Sequence, residues 1–431
     1  MKIFETHESE VRGYIRSWPT VFTRAEGWTQ IDEAGREYLD FFAGAGALNY
    51  GHNHPALIEP LITYLQDKGP IHTLDMASTA KRDFMERFIE LVLEPRDMDY
   101  KLQFPGPTGT NAVEAALKLA RKVTGRESVI SFTNAFHGMT LGSLAVTGNS
   151  MKWLGAGVPL ANTVPMPYAG FLGEESDSIE YLDRFLLDEG SGVEVPAAVI
   201  LETIQAEGGV NVASEPWLRR LFEVCKAHGV LVIVDDIQVG CGRTGPFFSF
   251  EHLGLEPDLL CLSKSLSGSG LPLSLLLIRP DLDVWEPGEH NGTFRGNNAA
   301  FVTAAAALET FWSDDALSGH VAARAQQIKT GLETLQQRHE GLFEDTRGRG
   351  LIQGLGCTVP ELAGQITTAA FDLGLMVETA GPQDEVVKLL PPLIVPEDVV
   401  ADALCRLDQA CDRVMDDVGE GLIAMPQEAG K

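Results

Sequence analysis

Basic residues are scarce. The 431-residue chain carries 33 Lys+Arg against 61 Asp+Glu, a formal net charge of −28. A nucleic-acid partner needs a basic footprint, so the imbalance argues against one. A surface this acidic repels itself and stays hydrated, and a salt-rich cytoplasm and a merely acidic proteome account for it equally well. Long apolar runs are missing as well. None approaches the length of a membrane helix, and Met1 to Glu10 hold no apolar signal core. The six cysteines (225, 241, 261, 357, 405 and 411) include no C-x-x-C pair, which speaks against a disulfide scaffold or a zinc site and for a reducing cytoplasm. There is no repeat and no low-complexity linker. Gly44-Ala-Gly46 and Gly268-Ser-Gly270 are glycine-rich, but neither is a G-x-G-x-x-G following a strand, so no dinucleotide site is expected.

What is present is an alternation of short apolar runs with amphipathic ones. Hydrophobic content is 44% and charged content 22%, a globular balance, and the length fits two or three domains. Apolar runs predict strands at 128–133, 197–201, 230–234, 259–262 and 273–278. Helical periodicity predicts helices at 112–124, 179–187, 216–228 and 299–312. Strands separated by helices imply crossover units and a largely parallel sheet. The ends read differently, with hairpin-like material at 28–32 and 37–41, then polar helices at 314–338 and 396–418 around strands at 350–357 and 386–390. The expected division is a large domain over 51–312 and a smaller α/β domain built from 1–50 and 313–431.

Ligands of such sheets bind beyond the C-terminal ends of the strands. Asp235 ends the run Gly229–Val234, and Lys264 follows Asp258–Ser263. An acid and a lysine so placed suggest pyridoxal phosphate, held by the lysine as a Schiff base with the acid paired to its pyridinium nitrogen. Either residue alone is more simply a solvated lysine or a turn acid, and the case rests on its companions. Gly106-Pro-Thr-Gly-Thr-Asn111 leads into an amphipathic helix, with Asn111 as its expected cap and Glu114 at capping-box spacing. The Gly109 and Thr110 amides at that N-terminus would seat a phosphate. Phe136-His137-Gly138 follows one strand, with an aromatic able to stack on a flat ring. Leu201-Glu202 to Gly209 follows another and places Glu202, Gln205 and Glu207 at its end. Gly51-His-Asn-His-Pro55 resembles a metal pair but lacks further ligands nearby, so no metal is expected and Pro55 reads as a helix start.

These parts together resemble the class III (ω, subgroup II) aminotransferases of pyridoxal phosphate fold type I, nearly end to end. The likeness is carried by Asp32-x-x-Gly35-x-x-Tyr38-Leu-Asp-Phe41, Gly51-His-x-His-Pro55, Val234-Asp-Asp-Ile-Gln-Val-Gly-x-Gly-Arg-Thr-Gly245, Lys264 and Pro391-Pro-Leu393. The resemblance implies a large domain with a mostly parallel sheet sandwiched by helices, a smaller α/β domain, and residue roles. Lys264 would carry the cofactor and Asp235 would keep its ring nitrogen protonated. Gln238 would reach the phenolic oxygen, Phe136 and Ile237 would sandwich the ring, and His137 would lie beside it. Gly109 and Thr110 would bind the phosphate, joined by Thr293 from a neighbouring subunit of a homodimer or higher oligomer.

Phe104-Pro-Gly-Pro-Thr-Gly-Thr-Asn-Ala-Val-Glu114, Thr133-Asn-Ala-Phe-His-Gly-Met-Thr140, Ser263-Lys-Ser-Leu-Ser-Gly268 and Asn291-Gly-Thr-Phe-Arg-Gly-Asn297 narrow the likeness. They resemble the members that move the amino group of L-glutamate to the aldehyde of L-aspartate 4-semialdehyde on the way to ectoine. Two positions depart from the wider family: Lys388 and Met139 stand where many relatives have carboxylate-binding arginines. A lysine is a point charge where arginine offers a fork. Lys388 is the expected carboxylate cation, with Glu202 pairing with it when no carboxylate is bound. Other ω-aminotransferase substrates (ornithine, 4-aminobutyrate, a diamine), a mutase or decarboxylase, and a catalytically silent cofactor-binding protein stay open. The intact Lys264/Asp235 pair speaks against the last.

Overall fold

The computed structural model describes residues 1–173 and 177–419. Its largest sheet has seven strands in the order Lys101–Gln103, Leu275–Ile278, Leu259–Leu262, Leu231–Asp235, Ala198–Leu201, Val129–Phe132 and Thr163–Met166. The five from Leu259–Leu262 to Thr163–Met166 run parallel, and Leu275–Ile278 is antiparallel to both its neighbours. Successive residues feed opposite cores. Ile233, Leu259 and Cys261 pack with Ala112, Val113, Ala116 and Ala120 of the helix Gly109–Thr124, while Val232, Val234, Leu260 and Leu262 point into the other layer. A sheet buried on both faces needs continuous apolar strands, which is why these runs stand out in the sequence.

The expected strands are all present, with ends moved by a residue or two. Two edge strands carry no sequence signal. Lys101–Gln103 is short and polar, and Thr163–Met166 contains Pro165, a residue that fits an edge better than a central strand. The helix Gly109–Thr124 begins earlier than expected. Its cap is Thr108, and Asn111 sits at the third helical position, where its Oδ1 accepts from the Thr108 amide (3.2 Å) and hydroxyl (2.8 Å).

Near the N-terminus, Phe22–Glu26, Thr29–Asp32 and Glu37–Asp40 form an antiparallel meander. Asp32 fixes its second turn by accepting from the Ala34 and Arg36 amides, both at 2.9 Å. Leu375–Met376, far along the chain, pairs in parallel with Glu37–Asp40. A further antiparallel sheet runs Phe343–Arg349, Ile352–Cys357, Val386–Leu389, Glu378–Ala380, with the helices Ala316–Arg338, Pro360–Asp372 and Glu397–Gly419 around it. The stretch expected as one strand at 350–357 is the return arm of a hairpin. Its turn passes Gly350, whose φ of +63° and close approach to the Arg243 carbonyl leave no room for a Cβ. Among the described residues no helix is long and apolar enough to cross a membrane.

Candidate active site

A cavity of about 160 Å³ opens at the C-terminal edge of the large sheet. It brings together Gly109, Thr110, Phe136, His137, Glu202, Asp235, Ile237, Gln238 and Lys264, residues drawn from five separate stretches of sequence. Asp235 is 4% exposed, on the last residue of its strand. His137 Nδ1 lies 2.8 Å from its Oδ2, and the Ile237 amide donates to its Oδ1 at 3.2 Å. Burial alone depresses the His137 imidazole, but the hydrogen bond and charge of Asp235, helped by Glu202, raise its pKa above the ordinary value. His137 Nε2 is buried without a partner. Phe136 and Ile237 are both partly buried on the cavity wall, a placement open to a planar ligand between them.

Lys264 follows the strand Leu259–Leu262 after one residue and has a φ of +49°. A lysine in this left-handed conformation is uncommon, and such strain gathers where function holds it. Its Nζ donates to the Ala45 carbonyl at 2.8 Å. Burial, first among the causes, lowers its pKa. Ala45 belongs to the glycine-rich stretch 43–46, a run of left-handed residues that turns its carbonyl toward the site. Gln238 donates to that carbonyl too (2.9 Å) and to Glu207 Oε1 (3.0 Å).

At the phosphate-seat end, a Cβ on Gly109 would stand 2.8 Å from Ile237 Cδ1, so a larger residue here would have to push the Ile237 side chain aside. Thr110 Oγ1 lies 2.6 Å from Thr140 Oγ1 and 2.8 Å from Ser143 Oγ. Glu114, expected in a capping box, instead accepts from the Thr140 hydroxyl and the Gly142 and Ser143 amides, at 2.6, 2.9 and 3.2 Å.

Two expected residues lie outside this cavity. Thr293 is exposed, and its carbonyl lies 2.6 Å from His72 Nε2. Lys388 is fully buried, and its expected pairing with Glu202 is not what the structure holds. Its Nζ donates to Glu207 Oε1 at 2.9 Å and lies 3.0 Å from Glu378 Oε1. Glu202 stays on the cavity floor and accepts from the Phe136 amide at 2.9 Å. Between the two acids the chain turns into the small hairpin Ile204–Gln205/Asn211–Val212, and the Gly381 amide holds the Glu207 carbonyl at 3.0 Å, which carries Glu207 to the other sheet.

Burial pushes Glu202 up to about 8. Burial also opposes ionisation of Glu207, but the charges of Lys388 and Lys264 outweigh it and hold Glu207 down at about 2. Tyr14 faces the same cluster, its phenol pushed up by burial and by Glu378 and Glu207. Sequence reasoning missed Glu378, Tyr14 and Ala45. His52, half of the apparent metal pair, is bound to Asp40 Oδ2 at 2.6 Å, and no group of three or more metal-ligating side chains occurs among the described residues.

The family profile described as "Aminotransferase class-III" matches residues 14–411. The chain belongs to this family. The diaminobutyrate–2-oxoglutarate transaminase of Nocardia farcinica is 56% identical, covering 100% of this chain and 98% of that protein. The protein of the same name from Virgibacillus pantothenticus is 54% identical over 96% of this chain and 100% of its own length. Among solved structures, the ornithine aminotransferase of Toxoplasma gondii superposes with a TM-score of 0.83 at 26% identity, covering 96% of this chain and 95% of that one. A transaminase from the marine bacterium Virgibacillus, 20% identical over 97% of this chain and 99% of its own, shares the fold with a TM-score of 0.86.

The chain is therefore a pyridoxal-phosphate-dependent aminotransferase of fold type I. Its residues fit the cofactor. A buried carboxylate for the ring nitrogen, a strained lysine, a helix N-terminus opened by glycine and an apolar wall on each side line one cavity.

Proposed function

We propose that this aminotransferase moves the amino group of L-glutamate to the aldehyde of L-aspartate 4-semialdehyde, giving 2-oxoglutarate and L-2,4-diaminobutyrate. The observation that carries the reading is identity above half over the whole length to proteins bearing that name. The bound cofactor supplies an electron sink that makes the Cα proton of the donor removable. The chain supplies the rest. Lys264, its pKa lowered by burial, is placed to take and return that proton at Nζ. Asp235, stiffened by His137, holds a negative charge where the ring nitrogen would lie. Lys388 is the cation for a substrate carboxylate. Glu207, 29% exposed, is the partner that a carboxylate displaces, the role first expected of Glu202.

The same reading includes a cytoplasmic enzyme of ectoine synthesis, with 1–50 and 313–431 as a small domain around the cofactor domain 51–312. It also includes a homodimer or higher oligomer in which Thr293, exposed and outside its own cavity, serves the partner subunit's phosphate site. Mixing Lys264→Ala chains with a Thr293 variant should restore activity. Lack of complementation with subunit exchange demonstrated would place Thr293 in its own site.

The function is tested by an acceptor screen with glutamate as donor. Aspartate 4-semialdehyde should give the highest kcat/KM and stoichiometric 2-oxoglutarate. A higher value for the semialdehyde derived from ornithine or for succinate semialdehyde would overturn the reading.

A further inference from the structure

Lys388 and Glu378 face each other across an antiparallel pair of strands, and Glu207 reaches the same ammonium from the loop of the hairpin Ile204–Gln205/Asn211–Val212. One cation between two carboxylates leaves a surplus negative charge, and burying such a charge is costly unless something answers it. Glu378 is 7% exposed. Its Oε1 lies 3.0 Å from Lys388 Nζ, and the Tyr14 phenol faces the same carboxylate. A second, buried carboxylate thus stands beside the one cation. The cluster adjoins the reacting end, because Gln238 joins Glu207 to the carbonyl that holds Lys264.

The two substrates differ at this end of the pocket. Glutamate brings its second carboxylate and no further cation. Aspartate 4-semialdehyde, and the diamino acid made from it, bring an α-carboxylate and an α-ammonium on one carbon. A lone lysine suffices for the first. A lysine with a spare carboxylate matches the second. We propose that Glu378 determines the acceptor by binding the α-ammonium of the amino-acid aldehyde and of its diamino product, while Lys388 takes the α-carboxylate of the same molecule. This rests on the reaction assigned above. Burial raises Glu378 to about 7, so near neutrality its charge follows the ligand. A neighbouring carboxylate favours the protonated form, and an ammonium favours the ionised one.

The test is a single-turnover half-reaction of the holoenzyme, followed by cofactor absorbance, with L-2,4-diaminobutyrate, 4-aminobutyrate and L-glutamate as donors. 4-Aminobutyrate is diaminobutyrate without the α-ammonium. In Glu378→Gln, kcat/KM for diaminobutyrate should fall roughly 10–100-fold, as when a charge-assisted hydrogen bond loses its charge. The values for 4-aminobutyrate and glutamate should change by less than about threefold on the same reasoning, so the preference for diaminobutyrate over 4-aminobutyrate collapses. A common fall for all three donors marks a structural role and overturns the proposal, as does an unchanged preference. Should the glutamine variant not fold, Glu378→Asp, which keeps the charge but withdraws it, must show a reduced preference of the same kind. Wild-type enzyme inert toward diaminobutyrate would overturn the assigned reaction itself, and an active wild type with an indifferent variant would overturn the role of Glu378 alone.

Discussion

The cofactor cavity and the neighbouring lysine cluster balance their charges differently. At the cofactor end Asp235 and His137 are matched one to one and both are buried, Asp235 on the last residue of its strand and His137 in the loop that follows Val129–Phe132. At the cluster proposed to meet the substrate a single buried lysine stands between two glutamates, and the three residues come from a hairpin and two strands of the smaller sheet. A fixed ligand can be met by internal pairs that never break. Two alternating substrates of different charge need a cluster that holds a surplus and can trade partners.

The largest effect that tests this contrast is at Lys264. Lys264→Ala should reduce turnover about 10⁴-fold or more, because the proton-transfer base and the cofactor's covalent anchor leave together. Borohydride reduction and peptide mapping should find the cofactor label on Lys264, and a label on another lysine sinks the assignment. Asp235→Asn should come next, lowering kcat by roughly 10²–10³-fold, the scale of losing one preorganised charge, while most cofactor binding persists. A near-normal rate in this variant would remove the ring-nitrogen role.

The contrast also separates what was legible in the sequence from what was not. Asp235 and Lys264 were legible because strands buried on both faces are unbroken apolar runs, and polar residues at their ends stand out. Gly109 and Thr110 were legible as a helix start, though the capping residue proved to be Thr108. Glu202 and Glu207 stand only five positions apart in the chain. Which of them meets Lys388 depends on a short hairpin and a backbone bond to Gly381, and neither leaves a periodic trace. Glu378 was illegible for the same reason. Its pairing with Lys388 is a matter of strand register, set by tertiary packing.

Lys388→Ala sharpens the comparison at the substrate end. The balance of charges there predicts two losses: glutamate KM rising about tenfold or more, and a stability cost of roughly 3–5 kcal/mol from one buried and one partly buried carboxylate left without their cation. Adding Glu378→Gln to Lys388→Ala should recover part of the stability and none of the glutamate affinity, as read by chemical denaturation and steady-state kinetics. A single variant as stable as the parent would show that Glu207 was not held ionised by Lys388.

The smallest effect is the pH dependence, and it distinguishes the two ends by where it falls. Glu378 is raised to about 7 and Glu202 to about 8, both by burial first, against an ordinary glutamate value of 4.5. In each case the folded protein keeps a proton that the unfolded chain releases. Unfolding therefore releases protons across this window, and stability falls as pH rises from near 5 toward 8, by at most about 1.4 kcal/mol per pH unit for each proton. Glu207, held down at about 2, has the opposite sign, and its contribution is lost only as pH falls below the ordinary glutamate value. Thermal melts across pH 5–9 should show the alkaline decline in the parent. Glu378→Gln should about halve the slope below pH 7, and Glu202→Gln should about halve it there and remove it between about 7 and 8, because a neutral amide has no proton to lose. A parent whose melting temperature rises through this window, or a Glu378→Gln profile superposable on it, would mean that Glu378 is ionised in the resting enzyme and that both carboxylates share Lys388 equally.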